Sequence, residues 1–203
     1  MHGWDCRIPA AASEPAYWTR KEPIMSKQIL VISTSLRANS NSDALAEAFA
    51  QGAQAAGHHV TRVSLHDKSI AFCRGCFGCL KTGECVIKDD AIAIVRQMHD
   101  ADTIAFATPI YYYEMSGQMK TLLDRANSLY DSDYRFQDIY FLSAAAENEE
   151  GVDHRAVSGL TGWIDCFGRA RLAGTVFAGG VNDAGEIKDH PALKTAWELG
   201  QRA

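Results

Sequence analysis

The feature that most constrains this chain is an alternation. Short apolar runs at 28–32, 59–65, 102–107, 137–142 and 174–179 are separated by segments of helical periodicity. Runs of that length, bounded by polar or glycine-containing stretches, read as buried strands. The intervening segments repeat at about 3.6 residues. Leu45, Phe49 and Ala53 share one face of a helix over 42–56, which Gly57 ends. Ile92, Val95 and Met98 do the same in a helix opened by Asp89 and Asp90. Met119, Leu122, Leu123 and Ala126 point inward from 116–128. Two more helices are expected at 153–169 and 191–201, the last with Pro191 in its first turn. Strands alternating with helices predict an α/β fold: a doubly wound parallel sheet of five strands with helices on both faces. Ligands of such sheets bind beyond the carboxyl ends of the strands, at the topological switch point.

The size fits one domain: 203 residues, 47% of them hydrophobic, can close a full core. Residues 1–24 are different in style. They hold three of the five prolines and two of the four tryptophans, without periodicity. They read as a mobile N-terminal extension ahead of a domain at 25–203, with Met25 as an alternative start. The net charge of −5, with no basic block, argues against nucleic acid or an anionic membrane as partner. No run has the length of a membrane span, and 1–24 has no basic-then-apolar leader pattern. The expected location is a reducing cytoplasm.

The first strand enters the first helix through Ser33-Thr34-Ser35-Leu36-Arg37-Ala38-Asn39-Ser40-Asn41-Ser42. The first N–H groups of a helix lack intrahelical partners and carry partial positive charge. Hydroxyl groups add donors, and Arg37 adds a charge. Such a loop suits a phosphate monoester. It also suits plain helix capping, because Ser40 and Asp43 have capping-box spacing. After the third strand comes Thr108-Pro109-Ile110-Tyr111-Tyr112-Tyr113, expected to be a loop. Its tyrosines offer flat faces to a planar ring, or divide among core, interface and solvent. A small-residue loop, Ser143 to Ala146, follows the fourth strand.

These residues resemble a known family. Ser35-Leu36-Arg37 with Ser40-Asn41-Ser42 looks like the phosphate loop of the flavodoxin-like NAD(P)H-dependent FMN reductases. Thr108 to Tyr112, with Gly117, Lys120, Asp124 and Arg125, resembles their second flavin loop and the helix after it. Ser33-Thr34 stands where many relatives have glycine. The resemblance implies a flavodoxin-like fold that binds FMN. Ser35, Arg37, Ser40, Asn41 and Ser42 would hold the phosphate. Pro109, Ile110, Tyr111 and Tyr112 would border the isoalloxazine ring, with Ser143 and Ala144 approaching it. Lys120 and Asp124 could instead pair on a helix surface. A homodimer or homotetramer is implied, with Tyr111 to Tyr113 near the interface.

Cys73, Cys76, Cys79 and Cys85 form a C-x2-C-x2-C-x5-C array loosened by Gly75, Gly78 and Gly83. Four thiolates from one loop can ligate a [4Fe–4S] cluster. Unligated or redox-active thiols and a zinc site are the alternatives. The stretch resembles the branch of the family that includes the iron–sulfur flavoproteins. Cys6 and Cys166 stand alone, and Ser64, His66 and Asp67 do not make a catalytic triad.

The expected activity is transfer of hydride from NAD(P)H to bound FMN and then to a flavin, quinone or other small acceptor. No protein side chain is expected to be catalytic, because flavin carries the chemistry. The rivals are an electron carrier using FMN and a [4Fe–4S] cluster, and an FMN-binding regulatory module without turnover.

Overall fold

The computed structural model describes residues 25–203. The expected extension at 1–24 lies outside the described residues. Five parallel strands form the sheet: β1 (Gln28–Ser33), β2 (His59–Ser64), β3 (Thr103–Tyr111), β5 (Asp138–Ala144) and β6 (Arg171–Ala178). Their order is β2-β1-β3-β5-β6. The connections from β1 run to one side and from β3 to the other, so the switch point lies between β1 and β3. This is the doubly wound parallel sheet expected from the alternation, in the flavodoxin-like order that the resemblance implies.

The strand sequences alternate so that each face of the sheet has its own core. Leu30, Ile32, Ile104, Phe106, Ile139 and Phe141 face α3 (Ala91–Asp100), α4 (Gly117–Arg125) and α5 (His154–Ile164). Ile29, Val31, Ala105, Ala107 and Leu142 face α1 (Asn41–Ala55) and α6 (Pro191–Gln201). Leu45, Phe49 and Ala53 of α1 are fully buried, as their spacing requires. In α3 the buried stripe is Ala91, Ile94, Val95 and Met98, while Ile92 is only half-buried.

Several boundaries differ from expectation. The stretch 108–113 is not a loop: β3 continues to Tyr111 and pairs antiparallel with β4 (Glu114–Met115). Tyr112 and Tyr113 turn this hairpin with φ of 51° and 67°. Two left-handed central residues match the right-handed twist of the flanking strands, at a cost for side chains other than glycine. The helix expected over 116–128 is α4 followed by a 3-10 turn, Ala126–Leu129. That expected over 153–169 stops at Ile164. A short helix, α2 (Gly78–Thr82), sits inside the cysteine stretch.

The helices α1 and α6 cross backbone to backbone. A Cβ on Gly52 would lie 2.0 Å from the Trp197 carbonyl oxygen, and one on Gly200 would lie 2.0 Å from that of Phe49. Only glycine admits this approach.

The long connection from β2 to α3 is closed at its base by a buried ion pair. Arg125 donates to both carboxylate oxygens of Asp89, at 2.6 and 2.9 Å, and to the carbonyls of Ala71 (2.8 Å) and Ile87 (3.1 Å). Asp89 also accepts from the N–H groups of Ala71 and Ala91. The Arg125 side chain is 0% exposed and that of Asp89 is 11% exposed. Burial pushes the Asp89 carboxyl up, but Arg125 and the two N–H groups outweigh it and hold it below its ordinary range.

Gly52→Ala or Gly200→Ala should lower stability by about 2–3 kcal/mol in denaturant unfolding, because backbone must move. Gly162→Ala, whose Cβ would meet nothing within 4 Å, should instead gain roughly 0.5–1 kcal/mol. Arg125→Met strands a buried carboxylate and should cost about 3 kcal/mol. A depressed folded pKa gives stability that is present above the unfolded value and lost as pH falls through the folded one. The gap between wild type and Arg125→Met should therefore narrow below about pH 4.

Candidate cofactor site

The loop after β1 is pinned before it turns. Thr34 is fully buried. Its N–H and its hydroxyl both donate to the Ala107 carbonyl, at 2.9 and 3.0 Å, and the hydroxyl meets that of Ser116 at 3.0 Å. Thr34 thus ties β1 to β3 and to the start of α4. The Ser35 hydroxyl then accepts from the Arg37 N–H, making a tight turn. Ser40 is extended and caps α1, its hydroxyl accepting from the Asp43 N–H at 3.1 Å. Capping and anion binding are not exclusive. The cap uses one donor of the first turn and leaves those of Asn41 and Ser42 without a preceding helical carbonyl.

Asn41 does something other than face a ligand. Its amide donates to the carbonyls of Val181 (3.3 Å) and Asp183 (2.9 Å) and accepts from the Ile187 N–H (3.2 Å). All its polar capacity holds the segment after β6 against the start of α1. Arg37 reaches the same segment, donating to the Asn182 carbonyl at 2.6 Å and lying 3.9 Å from the Asp183 carboxylate.

A cleft of about 190 Å³ opens between these loops. Ser35, Arg37, Ser40, Asn41 and Ser42 form one wall, and Pro109, Ile110 and Tyr111 form another. Ala144, Ala145, Ala146, Val181 and Asn182 complete it. The expected residues are therefore brought together, with two exceptions. Ser143 is buried and donates to Asp153 (2.9 Å) and the Val176 carbonyl (3.3 Å), so its hydroxyl serves the core. Tyr112 is 97% exposed at the hairpin tip and is not part of the cleft wall. Val181 and Asn182 were missed. The signal for them was the end of the last strand, which a parallel sheet brings to the same side as the other loops. Three buried hydroxyl residues (Ser35, Ser40 and Ser42) beside a helix N-terminus fit an anion, and the adjoining wall of proline, isoleucine and tyrosine fits a planar ring.

Lys120 and Asp124 pair on the surface of α4 at 2.6 Å. Arg125 faces the cysteine stretch. There Gly75 and Gly83 take positive φ, and so does Phe77. Cys73 and Cys76 are exposed, Cys79 and Cys85 half-buried. All four line one cavity of about 290 Å³, together with Arg74, Arg125 and Asn127. Among the described residues no three ligating side chains are gathered closely enough for one metal ion. A zinc ion requires that convergence. A four-iron cluster presents four corners, so its thiolates surround a cavity, and this donor set fits it.

A larger cavity, about 440 Å³, lies across the Cys79 and Cys85 segment from this one. Among its charged groups, Arg96 pairs with Glu84, and His99 pairs with Asp100 and Asp133. Those two carboxylates, Asp100 foremost, raise the His99 pKa.

The chain matches the family described as NADPH-dependent FMN reductase over residues 28–179. An iron-sulfur flavoprotein of Archaeoglobus fulgidus is 32% identical over 116 residues, 56% of this chain and 57% of that protein. Another, of Methanosarcina thermophila, is 23% identical over 176 residues, 86% of this chain and 92% of that one. The chain spans about half the length of several curated relatives it matches, between 41% and 57% in three of them. Two solved structures share the fold. An NAD(P)H:quinone oxidoreductase from Methanothermobacter marburgensis has a TM-score of 0.69 at 18% identity, covering 87% of this chain and 96% of that one. An FMN-dependent NADH-azoreductase from Bacillus anthracis str. Ames Ancestor, in complex with FMN, has a TM-score of 0.63 at 15% identity, covering 87% and 99%. No helix among the described residues is long and apolar enough to cross a membrane. With three quarters of its length matched, and with the sheet order and strand-end cleft described above, the chain belongs to the NADPH-dependent FMN reductase family.

Proposed function

We propose that the chain is a cytoplasmic NAD(P)H-dependent oxidoreductase that holds FMN in the cleft beside α1. The observation that carries this reading is one cleft joining a helix N-terminus, with its buried serines, to an apolar wall. Bound FMN would supply the electron chemistry between a nicotinamide nucleotide and a flavin, quinone or other small acceptor. Ser35, Ser40, Ser42 and the first N–H groups of α1 would bind the phosphate, with Arg37 adding charge at the rim. Pro109, Ile110 and Tyr111 would flank the ring. The alanines at 144–146 leave room for it. Ser143 and Asn41 would position these groups from behind. Tyr112 and Tyr113, exposed at a strained turn, are offered to a second subunit of a homodimer or homotetramer. No side chain is assigned as general acid or base.

A second reading is favoured by a separate observation. The four cysteines line a single cavity, and several relatives carry the name iron-sulfur flavoprotein. In that reading Cys73, Cys76, Cys79 and Cys85 hold a [4Fe–4S] cluster, and the chain passes electrons between FMN and a protein partner.

Arg37→Ala should weaken FMN binding about tenfold, or about 1.4 kcal/mol, since Arg37 is half-exposed and contributes a partly screened charge. Titration of free FMN fluorescence reads this, and an unchanged affinity would remove the loop from the phosphate site. Protein purified anaerobically should show a flavin absorption band that NAD(P)H bleaches rapidly. Slow bleaching by NAD(P)H, with roughly four irons and four sulfides per chain, favours the carrier.

A further inference from the structure

Two side chains on one short segment address the cysteine cavity from the side of the sheet. Asn127, in the 3-10 turn after α4, donates its amide to the Cys79 sulfur at 3.4 Å. Arg125, at the end of α4, lines the same cavity. Four of its hydrogen bonds go to Asp89, Ala71 and Ile87. Its Nε is buried with no partner. A buried N–H without an acceptor is destabilising, so native proteins rarely leave one. Cys85 lines the same cavity as Arg125, so sulfur is the acceptor type that the cavity supplies. Asp124 is the carboxylate on the cavity wall, and it is engaged by Lys120. The turn after α4 thus supplies one donor to sulfur, at Cys79, as the Gly75 N–H does within the loop at Cys73 (3.5 Å), and Arg125 brings its unpartnered Nε–H to the same cavity.

We propose that Arg125 and Asn127 are positioning residues for a [4Fe–4S] cluster on Cys73, Cys76, Cys79 and Cys85, acting through the ligand sulfurs to raise its reduction potential. This rests on the cluster reading above. Reduction adds one electron to an already anionic group. Hydrogen bonds to the ligand sulfurs stabilise the reduced form more than the oxidised form. Asn127 adds a donor at Cys79. Arg125, its charge balanced by Asp89, offers its unpartnered Nε–H and keeps the loop closed.

The test is a dye-mediated dithionite titration of the full-length, cluster-loaded protein, with iron and sulfide assayed on each sample. Asn127→Ala should keep its iron and shift the reduction equilibrium roughly tenfold toward the oxidised form, about 59 mV lower for a one-electron couple. Arg125→Gln, wherever it retains iron, should shift it in the same direction. Asn127 is half-buried and outside the ion pair, so its variant remains informative if Arg125→Gln unfolds. A full iron complement with an unchanged potential in Asn127→Ala overturns the inference and leaves the cluster reading standing. Wild-type protein without iron and sulfide overturns both.

Discussion

The direction in which α1 faces the candidate cleft depends on how closely the helix lies against α6. The two helices touch through peptide groups, because Gly52 and Gly200 present no side chain at the crossing. This fixes the axis of α1 and hence the direction of its N-terminal N–H groups. An anion site built on a helix end is only as accurate as the helix is immobile. Phe49, fully buried on the same helix and 5.0 Å from the Tyr140 ring, holds it against the sheet. Burial of such a side chain contributes about 1.5–3 kcal/mol.

A second constraint joins the two candidate sites. The amino end of α4 is tied to the first loop, since the Ser116 hydroxyl meets Thr34 and caps the helix through the Met119 N–H. Its other end carries Arg125 into the cysteine stretch. With 9 residues at about 1.5 Å each, α4 is a strut of about 13 Å. One rigid element therefore sets the spacing between the cleft and the cysteine cavity. The desolvation of Arg125 and Asp89 is unfavourable taken singly. It is offset by paired geometry and by two backbone N–H groups that would otherwise lack acceptors.

Much of this architecture was legible in the residues. The apolar runs located all five parallel strands, but a continuous run does not say which face each residue takes; the structure puts Leu30 and Ile32 in one core and Ile29 and Val31 in the other. The loop was legible as the start of α1, because Ser40 and Asp43 have capping-box spacing and Ser40 does cap the helix. What escaped was long-range and polar. Nothing local marks Asn41 as a tie to residues 181–187, since an asparagine in a first helical turn looks like any other cap. Ser143 looked like a ligand-facing residue, but strand parity turned its hydroxyl toward Asp153. The Tyr112–Tyr113 turn was hidden because tyrosine is a rare choice where glycine or asparagine is usual. The pairing of Arg125 with Asp89 joins residues 36 positions apart, and no spacing rule predicts it.

The Arg37 and Asn182 contact spans 145 positions of chain. The candidate cleft has walls from both ends of the domain, so it is complete only when the segment after the last strand lies against the first loop. Closing so long a loop costs entropy, and parallel pairing gives little reward before it closes. A chain cut before residue 181 would keep the serines of the first loop and lose the wall that faces them.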